Sequence, residues 1–523
     1  MKIERTKNTT RNIFAGVLLR LYQMIGPFIL RTIMIYMLGM EYVGLNSLFT
    51  SILHMLNLAE LGVGSALVYS MYKPIAEDDS EKICSLMKLY RLYYRVIGIV
   101  VLTAGLIILP FIPYLISGDV PPDINVYILY LMNLSVTVFS YWLFAYKNSL
   151  LTAHQRNDVI DKITIVTLTI QYVVQALVLI FFKNYYLYVA AALLSQILLN
   201  VVTAFIVNKM YPEYHPSKEI DKSLMKQINR RVRDIFTSKI GEVIVNSADT
   251  IVISSFLGLT ILGIYNNYYY LITAVMAFVT LIFKSTTAGI GNSLITETMD
   301  KNYNDLRKFT FLISWIACVC SCCFLTLYQP FMELWVGKDN MLSFGCVICL
   351  TSFFYIRVIN QVLIVYKDAS GMWHEDRFRP LCTAGANLVM NLIMVQFWGI
   401  YGVLLSTVIS TLVVGMPWVI RNLFTVIFKR SPKSFIFLLF KYLMAASAIC
   451  AIDYLICMFI PGTLIIQLIL RLAISLVLSN GLYLIIFRKS NEYRQILILF
   501  DRILGSKIQI IHKIIQKRLD EKK

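Results

Sequence analysis

Along the whole chain, apolar runs of about twenty residues or more alternate with short polar stretches. A helix needs about 20 predominantly apolar residues to cross a hydrocarbon core, so each run is long enough. The apolar positions are continuous and do not alternate every second residue, which argues against a β-barrel. The pattern predicts an all-α polytopic membrane protein of about fourteen spans. Their expected positions are 12–39, 44–72, 89–117, 124–151, 162–182, 185–208, 235–257, 262–289, 308–328, 341–366, 380–398, 399–420, 435–460 and 462–487. The first run follows the basic stretch MKIERTKNTTR, is too long for a signal-peptide core and precedes no small-residue cleavage site. It reads as a retained span.

Composition agrees and adds an orientation. The chain is 58% hydrophobic and 15% charged, with mean hydropathy +0.69, where soluble domains carry about 25% charged residues. Of its 48 Lys and Arg, 37 fall in the termini and the loops on one side, whereas Lys183 and Lys338 alone fall in the opposite loops. Cytoplasmic loops carry the excess of Lys and Arg, so both termini are expected in the cytoplasm. The same asymmetry accounts for the +18 net charge without nucleic acid.

Ten cysteines do not make a metal site. Cys318, Cys320, Cys322 and Cys323 scatter around one helix at 100° per residue, and the Cys346–Cys349 pair has no second pair or histidine cluster. They read as small packing residues.

Two cytoplasmic stretches are amphipathic. Ile220, Leu224, Ile228, Val232 and Ile235 repeat every three to four residues among basic side chains, and Tyr493, Ile496, Phe500, Ile503, Leu504, Ile508 and Ile511 do likewise in the tail. Both are expected to lie on an anionic leaflet. The first marks the middle of an internal repeat. LGMEYVGL (Leu38 to Leu45) matches LGLTILGI (Leu257 to Ile264) at an offset of 219, each copy following one long span and opening the next. With six spans between them, the copies enter the membrane in the same direction, a parallel repeat. The expected organisation is an N-terminal lobe at 1–208, a basic linker at 209–234, a second lobe at 235–420, a further helix pair at 435–487 and a basic tail at 488–523.

Ionisable groups inside spans cost about 2.5–3.5 kcal/mol each on insertion scales and face a cavity or a partner. Arg20 and Arg31 in span one are eleven residues apart, which returns to within roughly 20° on a helix. Both share one face around Gly26-Pro27, an expected break or hinge, although long side chains can also snorkel to the interfaces. His54, Asn57 and Glu60 step by threes along span two. Lys239, Glu242, Asn246 and Asp249 share one side of span seven. Lys239 and Glu242 are spaced to pair locally, which leaves Asp249 to carry a proton or Na⁺, or to pair with an arginine of span one. Lys284 and Arg357 add cations in spans eight and ten. Asp453 and Arg471 sit at matching depths of the last hairpin and are expected to form a structural ion pair. Intramembrane arginines suit phosphate because the planar fork donates two hydrogen bonds and stays charged.

At these residues the chain resembles bacterial polysaccharide flippases of the O-antigen and teichoic-acid type, within the multidrug/oligosaccharidyl-lipid/polysaccharide (MOP) superfamily. The resemblance rests on LGMEYVGLNSLF, NSADTIVISSFLGLTILGIYNNYYYL, PFMELWVGKDN and WGIYGVLLST in that order. It implies two six-helix lobes around a central cavity that opens alternately to either side, plus a C-terminal helix pair, in the bacterial cytoplasmic membrane. It implies an undecaprenyl-pyrophosphate-linked oligosaccharide as cargo, moved from the cytoplasmic to the outer leaflet. The pyrophosphate would meet Arg20, Arg31, Lys284 and Arg357. A Na⁺ or H⁺ gradient would drive transport with no bound cofactor, and a polymerase and glycosyltransferases would be partners.

One other transport reading, one structural reading and one enzymatic reading compete. A cation-coupled drug antiporter of the same superfamily would use Glu60, Glu242 and Asp249, but cavity arginines would repel its cationic substrates. A scaffold for glycan assembly would make those charges dispensable. A glycan-assembly enzyme would need a sizeable catalytic loop, and the chain shows no nucleotide-binding loop, metal-ligand cluster or catalytic triad.

Overall fold

The computed structural model describes residues 5–118, 120–217 and 222–503, with side chains at all of these except 5–10, 234, 238, 239, 242, 246, 284 and 500–503. Every regular element among them is helical, and the chain divides into two compact units, Met1–Asn266 and Asn267–Lys523. The first unit holds α1 (Arg5–Met37), α2 (Met40–Leu56), α3 (Val63–Ala76), α4 (Ser80–Ile108), α5 (Val126–Trp142), α6 (Asn148–Ala153), α7 (Asn157–Leu177), α8 (Tyr185–Met210), α9 (Lys222–Leu257) and the opening of α10 (Leu259–Thr296). The second holds the rest of α10, then α11 (Met299–Val336), α12 (Phe344–Ala369), α13 (Arg379–Trp398), α14 (Ile400–Ser410), α15 (Met416–Asn422), α16 (Lys433–Met458), α17 (Leu464–Phe487) and α18 (Asn491–Ile503).

Twelve helical stretches among the described residues are long and apolar enough to span a membrane. There are thirteen when α5 and its continuation Ala145–Ala153, bent by 47°, count as one. The remaining expected span is the apolar end of α9, Val243–Leu257. It is short because basic and polar residues fill the start of the same helix. Among its described residues the 209–234 stretch contains no separate surface helix. From Lys222 onward it is continuous with span seven, and Ile228 is fully buried. Its apolar side packs on the protein: a Cβ at Gly62 would lie 2.8 Å from Ile235, Tyr93 donates to Asn229, and Arg231 lies over the Tyr69 ring at 4.6 Å. That face is used internally and is not laid on lipid. Ile220 lies outside the described residues. So α9 belongs with α2 and α3, and the units divide within α10.

Turn chemistry sets the helix entries. Gly39 (φ 114°) and Gly258 (φ 88°) each supply a positive φ between consecutive helices, α1 to α2 and α9 to α10. Glycine adopts that region without a Cβ penalty. Asp79 caps α4 by accepting from the Lys82 amide at 3.0 Å. That amide, with the Lys82 ammonium, holds its carboxyl below the usual carboxylate range. In the second unit, α18 packs on α11 through buried Tyr493 and Ile496, and Arg307 pairs with Glu492. The tail from residue 504, with Leu504, Ile508 and Ile511, lies outside the described residues.

Candidate functional site

Helix α1 runs unbroken through Gly26-Pro27, against the expected break. Gly26 has a packing reason instead. A Cβ there would lie 2.1 Å from the Tyr172 ring of α7, so glycine leaves the notch that this ring fills. Tyr172 stacks on Tyr22 at 5.6 Å, and the Tyr22 hydroxyl donates to Thr169 Oγ1 at 2.8 Å. On the same helix Arg20 is exposed and Arg31 half-buried. The Arg31 guanidinium donates to the Asn266 carbonyl at 2.7 Å and to Ser47 Oγ at 3.5 Å.

The discontinuity lies in span two. Helix α2 ends at Leu56, Asn57–Glu60 form a 3₁₀ turn, and Gly62 (φ 87°) precedes α3. The three polar residues therefore do not form one arc on one helix. His54 is exposed, Asn57 Oδ1 accepts from the Tyr141 hydroxyl at 2.9 Å, and Glu60 accepts from Tyr94. Tyr90 donates to Tyr94 at 3.1 Å, extending the chain of hydrogen bonds along α4. The signal was ELGVG (Glu60 to Gly64), because two glycines so close inside an apolar run mark a break or a close approach. Irregular backbone at membrane depth needs internal partners, and the tyrosines supply them to the side chains of this turn.

Asp249 is half-buried on α9 and engaged in interactions. The side chains of Lys239, Glu242, Asn246 and Lys284 lie outside the described residues. In the second unit Arg357 is half-buried, with its guanidinium 5.5 Å from the centre of the Phe353 ring one turn earlier.

Asp453 and Arg471 do not pair. Asp453, fully buried, accepts from Ser475 Oγ at 2.7 Å, and Arg471 donates to the Thr326 carbonyl of α11 at 3.3 Å. Helix α11 packs against both α16 and α17 and offers the arginine an acceptor that a two-helix argument leaves out. It also gathers thiols, with Cys322 of α11 and Cys450 of α16 at 3.5 Å, and all ten cysteines are free.

The sequence reading missed a buried amide–hydroxyl cluster between α13 and α14. Asn387 donates to Thr407 Oγ1 at 2.9 Å, Asn391 to Asn387 Oδ1 at 3.4 Å, and Ser406 to Asn391 Oδ1. Asn387 and Asn391 at i, i+4 opposite Ser406 and Thr407 was the available signal. At the loop end of α10 to α12, a cavity of about 260 Å³ is bordered by Gly289, Asp305, Lys308 and Tyr366. Asp305 and Lys308 are paired there.

The two copies of the 219-residue repeat touch within the first unit. A Cβ on Gly44 would lie 2.0 Å from the Leu259 carbonyl oxygen, and one on Gly263 would lie 2.4 Å from the Met40 carbonyl oxygen. Thr260 Oγ1 donates to Glu41 at 3.1 Å.

An all-helical, multi-pass membrane protein of this architecture has the fold of MOP-superfamily transporters. A lipid II flippase, MurJ, in an inward closed conformation superposes with TM-score 0.64 at 15% identity, over 91% of this chain and 98% of that one. An inward-facing MATE-family multidrug transporter of the MOP superfamily gives 0.58 at 16% identity, over 79% and 99%. The Vibrio cholerae MATE transporter VcmN gives 0.52 at 14%, over 81% and 100%. No curated protein matches by sequence. The model of the polysaccharide biosynthesis protein family matches residues 9–288, and the chain belongs to that family. The fold is shared with proteins described as a lipid II flippase and multidrug transporters.

Proposed function

We propose that this protein flips a lipid-linked oligosaccharide, carried on undecaprenyl pyrophosphate, from the cytoplasmic to the outer leaflet of the bacterial cell membrane by alternating access. The observation that carries this reading is Arg31. Within the region matched by the polysaccharide biosynthesis family, a permanent cation sits half-buried in a membrane helix with its fork on a carbonyl and a hydroxyl. A cation so placed suits an anionic headgroup. Arg20 is the first contact, exposed on the same helix, and Lys284 and Arg357 are further cations for the pyrophosphate. In this reading the two halves of the chain move against each other between inward- and outward-open states. The pair at 435–487 accommodates the lipid, and a polymerase and glycosyltransferases act on either side.

The test is translocation. Proteoliposomes holding a polyprenyl-pyrophosphate-linked oligosaccharide should expose it to an added glycosidase faster than protein-free vesicles. Equal rates, with an organic cation transported instead, would overturn the reading in favour of an antiporter.

Topology gives a second test. Reporter fusions at Lys183 and Asp339 should read outside, and fusions at Ser370 and Lys429 cytoplasmic, as the basic-loop asymmetry requires. The opposite pattern would invert the direction of transport.

Coupling gives a third. Asp249 is the carboxylate we assign to Na⁺ or H⁺, and Glu60, Glu242 and Asn246 are the further polar residues of spans two and seven that we assign to the coupling path. Asp249→Asn should leave transport insensitive to both gradients, measured as glycosidase exposure with and without an imposed gradient. Unchanged gradient dependence removes the coupling role and leaves Asp249 as a static partner.

A further inference from the structure

The contacts between the repeat copies have an exchange symmetry. Adding 219 turns Met40 into Leu259 and Gly44 into Gly263, so the contact of Gly44 with Leu259 is the image of the contact of Gly263 with Met40. Glu41 maps onto Thr260, its own hydrogen-bond partner. Such reciprocity is the mark of a two-fold, self-complementary contact, expected where parallel repeats meet about an axis along the membrane normal. The surface is made by glycines against carbonyl oxygens. Small residues allow two backbones this close an approach.

Arg31 sits on this symmetry element. Two of its acceptors, Ser47 Oγ and the Asn266 carbonyl, are themselves 219 residues apart and so occupy equivalent places in the two copies. The place equivalent to Arg31 in the second copy is Thr250, so the clasp has one guanidinium where symmetry would allow two. Ser47 and the Asn266 carbonyl are neutral acceptors, and a phosphate oxygen is a stronger, charge-assisted one.

We infer that Arg31 is the latch of this clasp. With its fork across Ser47 and Asn266 it holds the two repeat copies together, and an anionic pyrophosphate headgroup draws the guanidinium onto itself and releases them. Cargo occupancy is thereby coupled to opening by one positioning residue. The inference rests on the pyrophosphate cargo proposed above for its trigger, but not for the latch itself.

The test uses the full chain with Glu41→Cys and Thr260→Cys and a protease site in the 211–217 loop. Disulfide formation across the clasp then keeps the cleaved fragments joined on a non-reducing gel. Farnesyl pyrophosphate should slow cross-linking by about tenfold, the factor for about 1.4 kcal/mol. Arg31→Ala should slow it by a similar factor with no probe, and farnesyl pyrophosphate should then add nothing. Ser47→Ala, which keeps the charge, and Arg31→Lys, which keeps the charge but not the fork, should fall between. These variants guard against a folding defect in Arg31→Ala. Cross-linking in Arg31→Ala at the parental rate, or the same slowing by the probe with and without Arg31, would overturn the latch. A latch that loosens in Arg31→Ala while the parental protein ignores farnesyl pyrophosphate would sustain the inference and count against the cargo.

Discussion

Glycan export should fall to background when Arg31 is replaced by alanine, and by at least about tenfold, about 1.4 kcal/mol, when Arg20 is. The two arginines share a helix but not an environment: Arg31 is half-buried with its fork engaged, and Arg20 is exposed. Hydrogen bonds to charged groups contribute about 1.5–3 kcal/mol each, so losing two from Arg31 to a phosphate removes more than an exposed contact can. Lysine at position 31 restores charge without the planar fork and should rescue only partly. The readout is surface polysaccharide in a strain that depends on this chain, normalised to protein in the membrane fraction. Alanine variants that both export normally would mean that the side chains snorkel to the interfaces and that the headgroup is held elsewhere.

What the sequence displays is periodic or local. Span positions follow from apolar runs, and the repeat follows from Leu-Gly spacing at an offset of 219, both one-dimensional patterns. That Gly44 lies on Leu259 and Gly263 on Met40 was not legible, because offset fixes equivalence and says nothing about contact. The ELGVG break was written in the chain, but Tyr94 and Tyr141, which satisfy Glu60 and Asn57, come from separate helices. For Asp453 and Arg471, hairpin depth fixed the height of each side chain. It did not show that Ser475 would take the carboxylate and that α11 would offer Thr326 to the guanidinium. The amphipathic stretch before span seven was correctly periodic, and periodicity does not distinguish a lipid surface from α3 and α4.

Alanine at Gly44 or Gly263 should damage the protein more than alanine at any open glycine. A Cβ at these positions would come within 2.0 Å and 2.4 Å of carbonyl oxygens of the opposing backbone, and a carbonyl cannot rotate aside as a side chain can. At Gly26 the obstacle is the Tyr172 ring, which can swing, so that substitution should be milder. Gly289, Gly385 and Gly481 have nothing within 4 Å of a Cβ and serve as controls. Overpacking costs about 1–3 kcal/mol, which should appear as a lowered midpoint in thermal unfolding of the detergent-solubilised chain and as lost export. Both glycines serve one contact, so the double variant should cost less than the sum of the two singles, as coupled neighbours do. Gly44→Ala and Gly263→Ala that unfold and export like Gly289→Ala would mean that the repeat copies do not pack through these glycines. Additive costs would mean that they pack at two independent places and not at one shared clasp.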